Sequence, residues 1–131
     1  GRYSDDWHVQ HLKNPQSVVP RSIMPGYSFL ADTPLEIANV SANLVALNRV
    51  GVPYSDIDIE MAETDLIAQA APDVDEGDLL ERYPKAQVRD FDGDPTRVTE
   101  MDAIIAYIQM LGTHVHSTKS FATSQTAGFC F

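Results

Sequence analysis

Cysteine is almost missing from this chain: Cys130 is the only one among 131 residues. One thiol excludes an intramolecular disulfide and any multi-cysteine metal site. Basic side chains are also scarce, 9 Lys and Arg against 19 Asp and Glu, for a net charge of −10. That balance excludes a phosphate-neutralising nucleic-acid surface and disfavours an anionic membrane surface. It leaves open steering toward a basic protein partner. No apolar run approaches the ~20 residues needed to span a bilayer. The start, Gly1-Arg2-Tyr3-Ser4-Asp5-Asp6, is acidic where a secretory leader is basic and then apolar. There is no internal repeat, no strand-like alternation, no Gly-x-Ser-x-Gly, no phosphate-binding glycine loop and no His-Glu-x-x-His.

What is present is helical punctuation. Ser4 is a fitting N-cap for a helix to about Lys13, with Asp5 and Asp6 at its positive end and Pro15 as its stop. Thr33-Pro34-Leu35-Glu36 combines an N-cap, a first-position proline and a capping-box glutamate. The apolar series Ile37, Val40, Leu44 and Leu47 follows, closed by Gly51 and Pro53. Ser55 opens a third helix whose apolar face is read as Ile57, Met61 and Leu66-Ile67, ending near Ala71-Pro72. A short helix is expected around Glu76 to Arg82. Thr99 caps the last helix, where Met101, Ile104, Ile105, Ile108 and Leu111 make one stripe before Gly112 ends it. The expectation is an all-α fold of about four helices, with residues 113–131 a loosely ordered tail.

Residues Asn14 to Asp32 break that regularity. Pro15, Pro20, Pro25 and Gly26 oppose a regular element, yet Val18, Val19, Ile23, Met24, Tyr27, Phe29 and Leu30 are apolar or aromatic. A loop so apolar must pack on something. Within it, Met24 carries a thioether, a soft ligand suited to a haem iron, and flanking prolines stiffen its approach. A methionine in such a loop is by itself more commonly a packing residue.

The neighbours of Met24 alter that balance. Trp7-x-x-x-His11-Leu12-x-Asn14-Pro15, then Met24-Pro25-x-Tyr27, then Ala106-Tyr107-Ile108-Gln109-Met110-Leu111-Gly112 is the order found in the second half of class I cytochromes c. Together with Gly1 to His8, Val19-Pro20 and Val50-Gly51-Val52-Pro53-Tyr54, the chain over roughly residues 1 to 112 resembles the mono-haem cytochrome subunit of cbb-type haem–copper cytochrome c oxidases. The resemblance implies a partial class I cytochrome c domain over 1–112, with a helical insertion at about 34–95. It implies Met24 as an axial haem ligand in the parent protein only, with Trp7, Leu12, Pro25, Tyr27, Leu30 and Ile105 packing on the haem. It further implies haem c as the parent's cofactor, and a catalytic oxidase subunit and a cytochrome c donor as partners. For the parent it implies a place at the periplasmic face of a bacterial inner membrane. No Cys-x-x-Cys-His occurs in these residues. The chain is therefore expected to be a soluble fragment without haem, not an enzyme by itself, its attachment motif and membrane anchor lying upstream of Gly1.

Other constellations are weaker. His8 and His11, and His114-x-His116, are pairs without a third ligand. Asp90-Phe91-Asp92-Gly93-Asp94 resembles a calcium loop, but Pro95 and Met101 stand where an EF-hand needs glycine and glutamate. Asp73, Asp75, Glu76 and Asp78 read as a solvated acidic loop. The alternative from another class is a free-standing helical interaction module, self-associating through the exposed apolar loop.

Overall fold

The computed structural model describes residues 3–71 and 79–114. Among them are six α-helices, one 3₁₀ turn at Ser28–Ala31 and no strand beyond an isolated bridge, Pro34 to Thr99. The fold is all-α. The helices are α1 Asp5–Lys13, α2 Pro15–Val18, α3 Val40–Arg49, α4 Asp56–Ala70, α5 Leu79–Arg82 and α6 Glu100–His114. The expected acidic cluster at 73–78, most of the short helix's first turn, His116 and nearly all of the tail lie outside the described residues. The described chain divides into two compact units, residues 3–35 with 90–114, and residues 36–71 with 79–89.

In the first unit, Ser4 caps α1 as its sequence indicates: its hydroxyl accepts from Trp7 N at 3.2 Å. Val9 and Leu12 are buried, and α1 packs on both α6 and the 3₁₀ turn. Pro15 does more than stop α1. It opens α2, a single turn inside the segment expected to be irregular. Proline at a first helical position loses no hydrogen bond, because that N–H has no intrahelical partner anyway. On α6 the buried side chains are Met101, Asp102, Ile105, Ala106 and Gln109, whereas Leu111 is exposed. The buried stripe is thus rotated from the apolar series toward two polar residues that find hydrogen-bond partners. The helix also runs past Gly112 to His114. A glycine costs only ~1 kcal/mol relative to alanine in a helix, too little to end one by itself.

The second unit shows the largest departure from expectation. The helix expected from Thr33 begins at Val40, after Asn39. Backbone pairing takes the upstream residues away: Leu35 N donates to Val98 O at 3.0 Å, and Thr33 O accepts from Glu100 N at 3.0 Å. Thr33 Oγ1 turns back to Phe29 O at 2.9 Å instead of capping forward. Helix α3 ends where expected. Gly51 takes φ +102°, a conformation that residues with a Cβ avoid. Ser55 caps α4 with a full capping box, Asp58 being the reciprocal partner. Leu44, Tyr54 and Ala62 form a core, with Val40, Val52 and Ile59 packed against it. The buried face of α4 is Ala62, Asp65, Leu66, Ala68, Gln69 and Ala70, while Ile57 and Ile67 are exposed. Small residues permit close approach, and Asp65 is drawn inward by Arg82.

Asp65 and Arg82 make a two-pronged ion pair, Arg82 Nε donating to Asp65 Oδ2 at 2.9 Å and Nη2 to Oδ1. The Asp65 side chain is 3 % exposed and that of Arg82 13 %. A pair this deep adds little net stability over an apolar pair, but removing one partner strands the other charge. Replacing Asp65 with Ala is expected to cost about 3–5 kcal/mol in urea unfolding monitored by circular dichroism. Replacing both Asp65 and Arg82 with apolar residues is expected to cost much less.

Candidate functional site

The methionine loop is held by backbone, at the far end of α1. Tyr27 N donates to Leu12 O at 2.7 Å. Gly26 passes so close to α1 that a Cβ placed on it would lie 2.9 Å from Lys13 O. That contact, rather than an unusual backbone angle, is what requires glycine there. Nearer the loop's tip, Ser22 N donates to Val19 O at 2.8 Å, and Met24 N donates to Ser22 Oγ at 3.2 Å. Gln16 Nε2 on α2 donates to Ser22 O at 3.3 Å. The 3₁₀ turn follows at once, with Leu30 N bonded to Tyr27 O at 3.2 Å. Met24 is half-buried. Its neighbour Ile23 is fully exposed, Pro25 is exposed, and Phe29 is more than half exposed.

Three aromatic rings line one side of α1. Tyr3 stacks on Trp7 at 4.1 Å, and Trp7 stacks on His11 at 4.7 Å with planes 10° apart. Spacing of four residues puts Trp7 and His11 on one helical face, and Tyr3, just before the helix, stacks onto Trp7. His8 meets Trp7 edge-on at 5.3 Å. Burial holds its imidazole below the ordinary histidine pKa, against the opposing pull of the nearby Asp5 carboxylate. His11 Nδ1 is buried and has no hydrogen-bond partner. The two histidines do not gather a third ligand among the described residues.

The expected pocket residues therefore fall as follows. Leu12 and Ile105 are buried, on α1 and α6. Trp7, Met24, Tyr27 and Leu30 are half-buried. Leu12, Leu30 and Ile105 sit on three elements packed against one another, and Tyr27 is joined to Leu12 through the backbone.

A second group was only half legible. The carboxylates of Asp90, Asp92 and Asp102 bring oxygens within 4.8 Å of one another. Those oxygens are engaged by protein donors. Asp102 Oδ1 accepts from Phe91 N at 3.2 Å and Asp92 N at 3.1 Å. Its Oδ2 accepts from Thr99 N at 2.9 Å, while Asp102 N points back at Thr99 Oγ1. Asp90 Oδ1 accepts from Gly93 N at 2.8 Å, and Asp94 turns away to Thr96 and Arg97. The group is a brace that fastens the 90–99 loop to the start of α6. The Thr99-x-x-Asp102 spacing of a capping box was the available signal.

Burial pushes the Asp102 carboxyl above its ordinary range. The Asp92 charge adds to this, while hydrogen bonds from Thr99 and Phe91 oppose it.

The fold and loop together define a class: a small helical protein organised around a stiff, backbone-tied methionine loop. The chain belongs to the family of cytochrome c oxidase mono-heme subunits (FixO), whose family model matches residues 1–115. No curated protein matches the chain. The family contributes an electron-transfer subunit to a cbb-type oxidase of several subunits, and its description specifies a single haem. No helix among the described residues is long and apolar enough to cross a membrane.

The residues present fit one side of a haem. They offer a soft sulfur on a tied loop, with the apolar side chains Leu12, Leu30 and Ile105 on the three elements packed beside that loop's anchor. They do not offer a thiol pair for covalent attachment.

Two predictions come from these contacts. Gly26→Ala must push the loop off Lys13 O, and overpacking of this kind costs about 1–3 kcal/mol. Thermal unfolding should show the loss, and hydrogen exchange should show reduced protection at the Tyr27 amide. Asp102 has a native pKa above its unfolded value near ~3.9, so its contribution is greatest below that pH and is lost as pH rises through the native value. The stability difference, wild type minus Asp102→Asn, should fall as pH rises from about 3.9. Urea midpoints across that range would measure it.

Proposed function

We propose that these residues form the methionine side of a haem c pocket in an electron-transfer subunit of a terminal respiratory oxidase. The observation that carries the reading is the double fastening of the Met24 loop to α1, through Tyr27 N and the close passage of Gly26. Met24 serves as the axial sulfur ligand. Trp7, Leu12, Pro25, Tyr27, Leu30 and Ile105 pack on the ring and exclude water. When bound, the haem supplies a one-electron couple, which a thioether ligand shifts toward higher potential. The helical stretch at about 34–95 is an insertion within the 1–112 domain.

The cysteine pair and the second axial histidine come from sequence outside these residues. The chain alone carries no catalysis and holds no haem covalently. Its partners are the catalytic subunit and a cytochrome electron donor, at the periplasmic face of a bacterial inner membrane. The net charge of −10 suits a basic donor, because complementary fields accelerate encounter.

Fragment complementation tests this directly. A soluble haem c peptide bearing Cys-x-x-Cys-His supplies the missing half, and is titrated into the chain. The expected result is tight binding with the weak far-red absorption of iron–thioether ligation. Met24→Ala should abolish that band while leaving the fold intact by circular dichroism. A wild-type complex without the band, or a Met24→Ala complex that keeps it, overturns the assignment.

The full exposure of Ile23, with Phe29 more than half exposed, favours a second reading. Apolar surface of this kind can drive self-association into a homo-oligomer. A strict monomer in sedimentation at high concentration would sink that alternative.

A further inference from the structure

Helix α4 packs on α3 and on α5, and one of its faces is left open. That face is made of Asp56, Ile57, Glu60, Glu63, Thr64 and Ile67, all exposed. At about 3.6 residues per turn they cover roughly a third of the circumference, over a length of about 16 Å. Ile57 is 56 % exposed and Ile67 40 %. Ile57, Glu60, Thr64 and Ile67 step by three, four and three, the spacing of a seam along which two helices pair. Asp56 and Glu63 fall on one flank of that seam, and half-buried Met61 on the other.

The charges on this face are all of one sign. Asp56 and Glu60 are four residues apart and Glu60 and Glu63 three, so like charges adjoin at both spacings and oppose the helix. The positive helix end offsets Asp56, but Glu60 and Glu63 lie beyond the first turn, where that help has faded. Among the described residues none of the three is held in an ion pair. The face therefore presents apolar surface at both ends and uncompensated negative charge between them and along one flank.

That combination selects its occupant. A second copy fits poorly. Parallel pairing sets Glu60 against its own copy, and antiparallel pairing sets the acidic flanks together. An anionic lipid surface is repelled as well. A seam straight along the helix for three turns matches another helix, and the charges call for Lys or Arg on it. We propose that the open face of α4 is a docking site for an amphipathic helix of a partner protein, one whose apolar stripe meets Ile57 and Ile67 and whose basic side chains meet Asp56, Glu60 and Glu63. The contact is small, which places it among weak and transient interfaces. The assignment is independent of the haem reading.

The test uses the full chain and three synthetic probes. The first is a three-heptad helical peptide with a leucine seam flanked by lysines. The second carries glutamates in place of the lysines, and the third has the first peptide's composition in scrambled order. Isothermal titration should show the lysine peptide binding at least about tenfold more tightly than either control. Backbone amide shifts should gather on residues 56–67. Glu60→Lys with Glu63→Lys should weaken binding about tenfold, and Ile57→Ser with Ile67→Ser by a similar factor. These four side chains are exposed, so the fold should survive, which circular dichroism checks. Asp6→Lys with Glu36→Lys changes the net charge equally at exposed positions off α4 and should leave binding unchanged. Failure of the lysine peptide to bind, equal binding of either control, or losses from the charge variants without losses from the isoleucine variants would each overturn the assignment. A dimer in sedimentation that Ile57→Ser with Ile67→Ser dissolves would give the face to a second copy. Capture by phosphatidylcholine vesicles that the same variant abolishes would give it to a lipid surface. Either result also overturns a partner helix as the occupant. None of these measurements involves haem, so the reading of the Met24 loop stands or falls separately.

Discussion

The candidate site depends on the fastening of its loop to α1, where Tyr27 N donates to Leu12 O at 2.7 Å and Gly26 passes close beside Lys13 O. The loop that carries Met24 includes Pro15, Pro20 and Pro25, each of which removes an N–H and interrupts a regular ladder. It cannot become a strand, and α2 and the 3₁₀ turn supply only short stretches of internal bonding. Its remaining backbone must be satisfied against something fixed. Helix α1 is fixed, because Ser4 caps its start and Val9 and Leu12 bury its face. Gly26 lets the two backbones approach until no side chain would fit between them. This tie confines Met24 without burying it completely, which is what the proposed role as a sulfur ligand would need.

The acidic composition poses a second problem, which the fold answers by giving its inward carboxylates donors. Asp102 is 2 % exposed, yet four N–H or O–H groups from Phe91, Asp92 and Thr99 converge on it. Asp65 is equally deep and meets the planar fork of Arg82. The two cases are not equivalent. Arg82 brings a full opposite charge and matching geometry, whereas Asp102 has only dipoles and a nearby like charge at Asp92. Burial, with the Asp92 charge added to it and the hydrogen bonds opposing, holds the Asp102 proton more tightly than in an ordinary carboxyl. Each compact unit thus has its own buried carboxylate, locked in a different way.

Sequence pattern revealed the helices and the methionine loop, and it erred where backbone partners were non-local. Ser4, Ser55 and Gly51 acted as their types suggest, since capping depends on residues within a few positions. Thr33-Pro34-Leu35-Glu36 has the same local signature, yet no helix starts there. Its carbonyl and amide groups are claimed by Val98 and Glu100, more than sixty positions away in the chain. Periodicity also misplaced the buried faces of α4 and α6, because a hydrophobic count cannot see that Asp65, Asp102 and Gln109 have partners waiting. The pattern around Met24 identified the loop but not its fastening. A glycine after a proline reads as a turn signal, and only coordinates show that Gly26 is there for closeness to Lys13.

The ring stack along α1 ends on a histidine rather than on another purely apolar ring. Trp7 already supplies the broad apolar face, and another indole or phenyl at position 11 would stack on it as well. What imidazole adds is a nitrogen, and its Nδ1 is buried where no side chain or carbonyl among the described residues meets it. A structural role alone would favour phenylalanine there, which carries no desolvation cost. The next residue, Leu12, gives its carbonyl to Tyr27, so the turn of α1 that ends the ring stack is also the turn that anchors the methionine loop.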